Sequence, residues 1–279
     1  MTLSLIAFDL DGTTLNSSRK ISNRNYSALI KAYEKGVKLV PCTGRSMYEL
    51  PQELDSLIDQ FGFSVFSCVI TDNGAQVYDL PKKEQLYSKS IPKKTALALI
   101  AEGRKRFSLT YGTFGTHGAT DTRGIIWESE EAKPYIAKYQ EKWGLPVADL
   151  EELIEWSGGI VKVSMNFLYD TDYKKCFEEL SIWPSLALSS AAPKNIEFMD
   201  KGICKGEALK FVSQYLDIPL EKIMAIGDNL NDVEMVEAAG FGVAMGNAIP
   251  ELKEKADWVT AGNDADGLAI AIEKILTLF

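Results

Sequence analysis

Asp9 and Asp11 stand two residues apart at the end of the apolar run Leu5-Ile6-Ala7-Phe8, and Gly12-Thr13 turns the chain straight after them. Side chains at i and i+2 of a strand share a face, so the two carboxylates set out in the same direction. Two negative charges that close repel each other unless a cation or a proton sits between them. A second polar group, Asp228-Asn229-Leu230-Asn231-Asp232, follows another apolar run that ends at Gly227. Carboxylates from two strand ends suit a hard cation that takes oxygen ligands and keeps several waters, Mg²⁺ before Ca²⁺. Thr43-Gly44-Arg45-Ser46 lies between a strand-like and a helix-like segment. A hydroxyl, a close-approaching Gly and the N–H groups of a helix start there make a cradle for phosphate. Asp72-Asn73-Gly74 closes a third apolar run, and Lys205 precedes a helix-like segment. Taken singly, each feature also reads as a turn, a helix cap or a solvated surface residue.

The elements around these residues alternate. Up to about residue 80, "SLIAFDL", "VKLVPCT" and "SCVITDNGA" read as strands, with helices in "SNRNYSALIKAYEKG" and "MYELPQELDSLIDQF" between them. The last 75 or so residues repeat the rhythm through "KGEALKFVSQYL", "KIMAIGD", "NDVEMVEAAG", "FGVAMGN", "DWVT" and "DGLAIAIEKILTLF". Such βαβα order predicts an α/β fold, a Rossmann-like doubly wound parallel sheet with helices on both faces. The polar groups all follow strands, and ligands of open parallel sheets bind at the carboxyl ends of the strands. Residues 84–190 break the rhythm, with helix-like "KKTALALIAEGRKRF" and "EEAKPYIAKYQEKW" among strand-like pieces such as "RGIIWES" and "GIVKVSMNFL". They read as an α+β domain inserted into a core made of 1–83 and 191–279, with hinges at 81–83 and 191–193. Pro41 sits inside a strand that should be central, where a residue without an N–H demands a bulge or an unpaired position.

A net charge of −9 and the absence of any Lys/Arg run exclude a nucleic-acid surface. Four scattered cysteines without a CxxC pair, and a single His, exclude a zinc site. No apolar stretch reaches 18 residues and no basic leader opens the chain, so the expectation is a cytoplasmic protein with reduced thiols and no membrane partner.

In this order "DLDGT", "TGR", "KG" and "GDNLND" resemble the four motifs of the haloacid dehalogenase superfamily of phosphatases. The large insert and the run "GDNLNDVEMVEAAGFGVAMGNA" are similar to its Cof-type branch. The resemblance implies that Asp9 attacks phosphorus and becomes an aspartyl-phosphate. It implies that Asp11 protonates the leaving alcohol and later deprotonates water. It further implies Mg²⁺ on Asp9, the main-chain carbonyl of Asp11 and Asp228. Thr43, the Gly44 and Leu10 amides, Lys205 and Asn231 are then the phosphate-binding groups. Asp232 is implied to fix Lys205 and the metal shell, and Asn73 to support the site from its loop. The insert is implied to be a cap that selects the substrate.

The activity expected is Mg²⁺-dependent hydrolysis of a small-molecule phosphate ester, sugar phosphates or phosphorylated cofactors, by a monomer or homodimer. A phosphomutase using the same aspartyl-phosphate is the alternative. A phospho-ligand sensor is a third reading, disfavoured because Asp9, Asp11, Lys205 and Asp228 are all present. Within the insert, "YGTFGTHGATDTRG" with His117 and Arg123 reads as either a substrate-facing loop or a surface hairpin. Trp127, Trp143 and Trp156 read more as cap core than as ligand platforms.

Overall fold

A computed structural model describes residues 3–47, 50, 54, 58, 62, 65–107, 109–115, 137, 159–180, 183–190 and 194–278. His117, Arg123, Trp127, Trp143, Trp156 and the 191–193 hinge lie outside the described residues, as does most of the helix expected near residue 50. Its contacts divide the chain into two compact units, Met1–Arg45 with Leu50–Tyr87 and Cys204–Phe279, and Ser46–Glu49 with Ser88–Ile203.

The first unit is built on five parallel strands: β1 (Leu5–Phe8), β2 (Lys38–Pro41), β10 (Ile223–Gly227), β11 (Phe241–Ala244) and β12 (Trp258–Val259). Their order is β12-β11-β10-β1-β2. β1 is buried along its whole length, as an unbroken apolar run in a parallel sheet should be. The chain winds outward from β1 to β2 and in the opposite direction from β10 to β12. Right-handed crossovers run in opposite directions lay their helices on opposite faces of the sheet. Accordingly α1 (Asn23–Glu34) packs on α7 (Gly267–Leu278), and α4 (Lys205–Tyr215) packs on α5 (Val233–Ala238). Ser22 caps α1 as the sequence predicts, its side chain accepting the Asn25 N–H. Buried Asn25 in turn accepts the Ala269 N–H at 2.9 Å and donates to the Thr14 carbonyl, tying α1 to α7 and to the loop after β1.

A hairpin of β3 (Val69–Thr71), β4 (Gln76–Asp79) and β5 (Glu84–Ser88) adjoins β2. Here Pro41 has its effect. Lys38 and Cys42 donate their N–H groups to β1, so the alternate positions, Pro41 among them, face β3. On that side the parallel pairing shrinks to Leu39 with Phe66 and Cys42 with Ile70. Three residue steps on β2 oppose four on the other strand, which is a bulge opposite the missing N–H.

The second unit holds the antiparallel sheet β6-β7-β9-β8, from β6 (Leu109–Gly115), β7 (Lys162–Phe167), β8 (Leu186–Ser189) and β9 (Asn195–Asp200). Its second border with the core falls after Ile203, beyond the break expected at residue 190, because β9 pairs with both β7 and β8 and cannot leave their sheet. Val163, Met165, Phe167, Ile196 and Phe198 point to one face. There they form a core with Ala96, Leu99 and Ile100 of α2 (Lys93–Arg106) and Cys176 and Leu180 of α3 (Asp170–Leu180). Lys162, Ser164, Asn195 and Glu197 lie on the other face and are also buried. Lys162 and Glu197 pair at 3.0 Å.

A buried charge left without its partner costs about 3–5 kcal/mol, whereas replacing both partners by apolar groups is close to neutral. Loss of this pairing in Lys162→Met should therefore lower unfolding stability, by up to about 3–5 kcal/mol, and Lys162→Met with Glu197→Leu should recover part of that loss. Denaturant unfolding of the two variants checks this. A double variant no more stable than the single one contradicts it.

Candidate active site

β1 and β10 are neighbours in register, Leu5 opposite Ile223 through Phe8 opposite Ile226. They lie where the winding reverses, so their carboxyl ends open the crevice in which such sheets bind ligands. Asp9 follows β1 and Asp228 follows β10, which brings residues more than 200 positions apart to one edge. Asp9 is buried, its N–H bonded to the Ile226 carbonyl at 3.0 Å. Its Oδ1 accepts from Lys205 Nζ at 2.6 Å. Lys205, the first residue of α4, is fully buried and reaches Asp232 Oδ1 at 2.6 Å as well. The other oxygen of Asp232 accepts the N–H groups of Asp228 and Asn229 at 2.9 and 3.0 Å. Asp232 is thus fully engaged in holding Lys205 and the loop after β10.

Asp228 accepts a hydrogen bond from Thr13 at 2.8 Å. Gly12 makes that approach feasible. Its φ of +83° belongs to the left-handed region, and a Cβ there would meet Asp228 Oδ2 at 2.4 Å. The Leu10 side chain is fully buried, while its N–H bonds to no described residue. Asp11 departs from the expected alternation. The strand ends at Phe8, so the period of two no longer sets its direction, and its carboxylate is exposed. That carboxylate is gripped by Arg45, with Nε to Oδ2 and Nη2 to Oδ1 both at 2.6 Å.

Thr43 is buried at the end of β2, its N–H on the Ile70 carbonyl at 2.9 Å and its hydroxyl accepting the Arg45 N–H at 3.1 Å. Asn73 donates its N–H to the Thr43 carbonyl, and its Oδ1 accepts from Asn231 Nδ2 at 2.9 Å. Asp72 and Asn73 have φ of 50° and 57°, an unusual left-handed pair of non-glycine residues. The Asn73 side chain packs so closely on residue 44 that a Cβ there would meet its Oδ1 at 2.7 Å, so any larger residue would displace Asn73. Asp9, Leu10, Asp11, Thr43, Gly44, Asn73, Lys205, Asp228, Asn231 and Asp232 therefore gather at this edge. The sequence reading assigned no role to Arg45. The signal available was its place directly after Thr43-Gly44, on the loop that faces the turn after β1.

Two carboxylates hold one ammonium, and a third, that of Asp228, lies close to both of them. Burial pushes the Asp9 carboxyl well above the usual carboxylate range, opposed by Lys205 and reinforced by Asp232 and Asp228. Burial, with Asp232 beside it, pushes Asp228 up to about 6. Lys205 is raised despite its burial, held in its charged form by Asp232 and Asp9. Oxygens of Asp9, Asp228 and Asp232 lie within 4.8 Å of one another. Asp9 and Asp228 each keep one oxygen that bonds to no described residue. An all-oxygen donor set with surplus negative charge fits a hard divalent cation.

A carboxyl whose folded pKa exceeds its unfolded value binds protons more tightly when folded, so its ionisation weakens the fold above that pKa. In EDTA, Asp228→Asn should be more stable than wild type at pH 7.5 by on the order of 2 kcal/mol. The difference should shrink as pH falls through about 6 and vanish near the ordinary carboxylate range. Urea unfolding across that window tests the sign, and a gap that widens toward acid contradicts it.

Residues 6–272 match the family model described as haloacid dehalogenase-like hydrolase. The chain is 31% identical to the 5-amino-6-(5-phospho-D-ribitylamino)uracil phosphatase YcsE of Bacillus subtilis, over 97% of this chain and 94% of that protein. It is 30% identical to phosphatase YwpJ of the same organism, over 98% and 100%. A crystal structure of a haloacid dehalogenase-like hydrolase from Bacteroides thetaiotaomicron aligns with a TM-score of 0.80 at 28% identity, covering 98% of this chain and 100% of that one. With motif residues from all four segments collected on one sheet edge, and a family model spanning nearly the whole chain, this protein belongs to the haloacid dehalogenase-like hydrolases.

Proposed function

We propose that this protein is a Mg²⁺-dependent phosphatase of small phosphorylated metabolites, sugar phosphates or phosphorylated cofactors, working through an aspartyl-phosphate on Asp9. The observation that carries this reading is the buried Lys205 bridge between Asp9 and Asp232 beside Asp228. It holds a carboxylate in one orientation at the sheet's ligand-binding edge. Asp9 attacks phosphorus in line with the ester oxygen that departs, and Asp11 gives that oxygen its proton. Asp11 then takes a proton from the water that releases phosphate, so it ends in the state in which it began. Asp9, the Asp11 carbonyl and Asp228 are the residues that would hold Mg²⁺. When bound, the ion supplies the positive charge that lets a carboxylate approach a phosphate dianion.

Lys205, Asn231, the hydroxyl of Thr43 and the amides of Leu10 and Gly44 bind the phosphoryl oxygens on this reading. Phosphoryl transfer needs little beyond such positioning and charge neutralisation. Asn73 and Asp232 act one step back, orienting Asn231 and Lys205. The inserted unit is assigned the choice of substrate. The ribityl phosphate named for one relative falls in the same chemical class.

The test is phosphate release from p-nitrophenyl phosphate with Mg²⁺ or EDTA, beside Asp9→Asn. Turnover should require Mg²⁺ and fall by several orders of magnitude in Asp9→Asn. Mg²⁺ should also raise the melting temperature of wild type, and much less that of Asp228→Asn. Turnover that survives Asp9→Asn overturns the mechanism.

A further inference from the structure

The Asp11–Arg45 pair has no part in the reaction as derived above, yet it joins the residue assigned to proton transfer to the loop that carries Thr43. Both carboxylate oxygens meet the guanidinium, one on Nε and one on Nη2, at 2.6 Å each. This is the planar two-bond fork that Arg makes and Lys cannot. Asp11 lies beyond the end of β1, its side chain half exposed, whereas Arg45 is largely covered. Among the described residues, the fork supplies every side-chain hydrogen bond to the Asp11 carboxylate. Arg45 itself is anchored by its backbone. Its N–H donates to the Thr43 hydroxyl at 3.1 Å, and its carbonyl accepts the Asp72 N–H at 3.0 Å. A half-exposed carboxylate is thereby tied to the loop that follows β2.

We propose that Arg45 is a positioning residue for Asp11, its fork setting the direction from which that carboxyl reaches the ester oxygen. The inference rests on the phosphatase reading. For Asp11 to act, one oxygen turns from the guanidinium to the leaving oxygen while the other keeps its N–H bond. The fork thus becomes a pivot in place of a free rotamer search. In the first half-reaction the P–O ester bond breaks as Asp9 bonds to phosphorus, and the Asp11 proton passes to the departing oxygen. In the second, a water oxygen bonds to phosphorus, the Asp9–phosphorus link breaks, and the water proton returns to Asp11. Arg45 touches neither phosphorus nor water in these steps.

A group that acts only through proton transfer matters most where the leaving group needs a proton. Phenyl phosphate needs one and p-nitrophenyl phosphate, whose phenolate is far less basic, needs it much less. Arg45→Met should therefore lower the ratio of kcat for phenyl phosphate to kcat for p-nitrophenyl phosphate by about tenfold, a fraction of what a general acid contributes. KM for both esters should stay within about twofold, because the phosphate-binding groups are untouched. Arg45→Lys, with one point contact in place of two, should fall between. In an Asp11→Asn background Arg45→Met should change the ratio by less than about twofold, since coupled residues do not act additively.

Equal losses on both esters with a raised KM would mean that Arg45 merely props the Thr43 loop, and would overturn the proposal. Losses that multiply with those of Asp11→Asn would overturn it too. If Arg45→Met does not fold, Arg45→Lys alone and with Asp11→Asn carries the same comparison. Failure of the underlying phosphatase reading is visible separately, as wild-type turnover that is absent or indifferent to Asp9→Asn.

Discussion

A single ammonium group, buried between two carboxylates, sets the geometry of the rest of the site. Lys205 touches Asp9 from the end of β1 and Asp232 from the loop after β10, and it starts helix α4. Taking these charges out of water is expensive, and only close pairing offsets the cost. The position is unfavourable for a cation on other grounds as well, because the first turn of a helix carries the positive end of its macrodipole. Two carboxylates at 2.6 Å reverse that preference. The arrangement consequently works only if β1 and β10 are neighbours and α4 enters between their ends. That is the topology of a sheet wound in two directions from its middle. The third carboxylate, Asp228, has no cation of its own in the chain. Burial first, and Asp232 beside it second, raise its pKa, and a divalent ion bound there would offset both.

Around this cluster the backbone takes conformations that side chains ordinarily refuse. Gly12 turns with φ +83° so that Thr13 can reach Asp228. Asp72 and Asn73 occupy the left-handed region in succession and place Asn73 between the Thr43 carbonyl and the Asn231 amide. Such conformations persist where surrounding contacts over-determine them. Here the contacts come from β2 on one side and the Asp228–Asp232 loop on the other, so the strained turn links the two halves of the site. The bulge opposite Pro41 belongs to the same solution, since it shifts the register just before Thr43.

The sequence exposed the features that depend on local chemistry. The apolar run of β1, the Ser22 cap and the need for a bulge at Pro41 follow from propensity, side-chain reach and a missing N–H, and each has its counterpart in the structure. Features that depend on partners distant in sequence were less legible. The direction of Asp11 could not be read from strand alternation, because whether the strand continues past Phe8 is decided by its neighbours. Residues 195–200 look like the start of the returning core. They join the antiparallel sheet because β7 and β8 offer them pairing on both sides. Lys162 and Glu197 are both buried, a result of tertiary placement that no local pattern encodes. An Arg after Thr-Gly has many ordinary uses, and only the fold brings Asp11 within its fork.

The two halves of the proposed chemistry are thus supported differently. The carboxylate proposed as nucleophile and Lys205 are buried and paired with each other, and Asp228 is held beside them by Thr13. Such rigidity suits groups whose task is to be in place before the substrate arrives. Proton transfer makes the opposite demand, since one carboxyl must serve a leaving oxygen and then a water in different positions. The chain meets that demand by placing Asp11 past the end of β1, half exposed, and by restraining it through one planar partner instead of a packed cavity. Solvent reaches the fork from the Asp11 side, so one carboxylate oxygen can turn away while the other keeps its N–H bond.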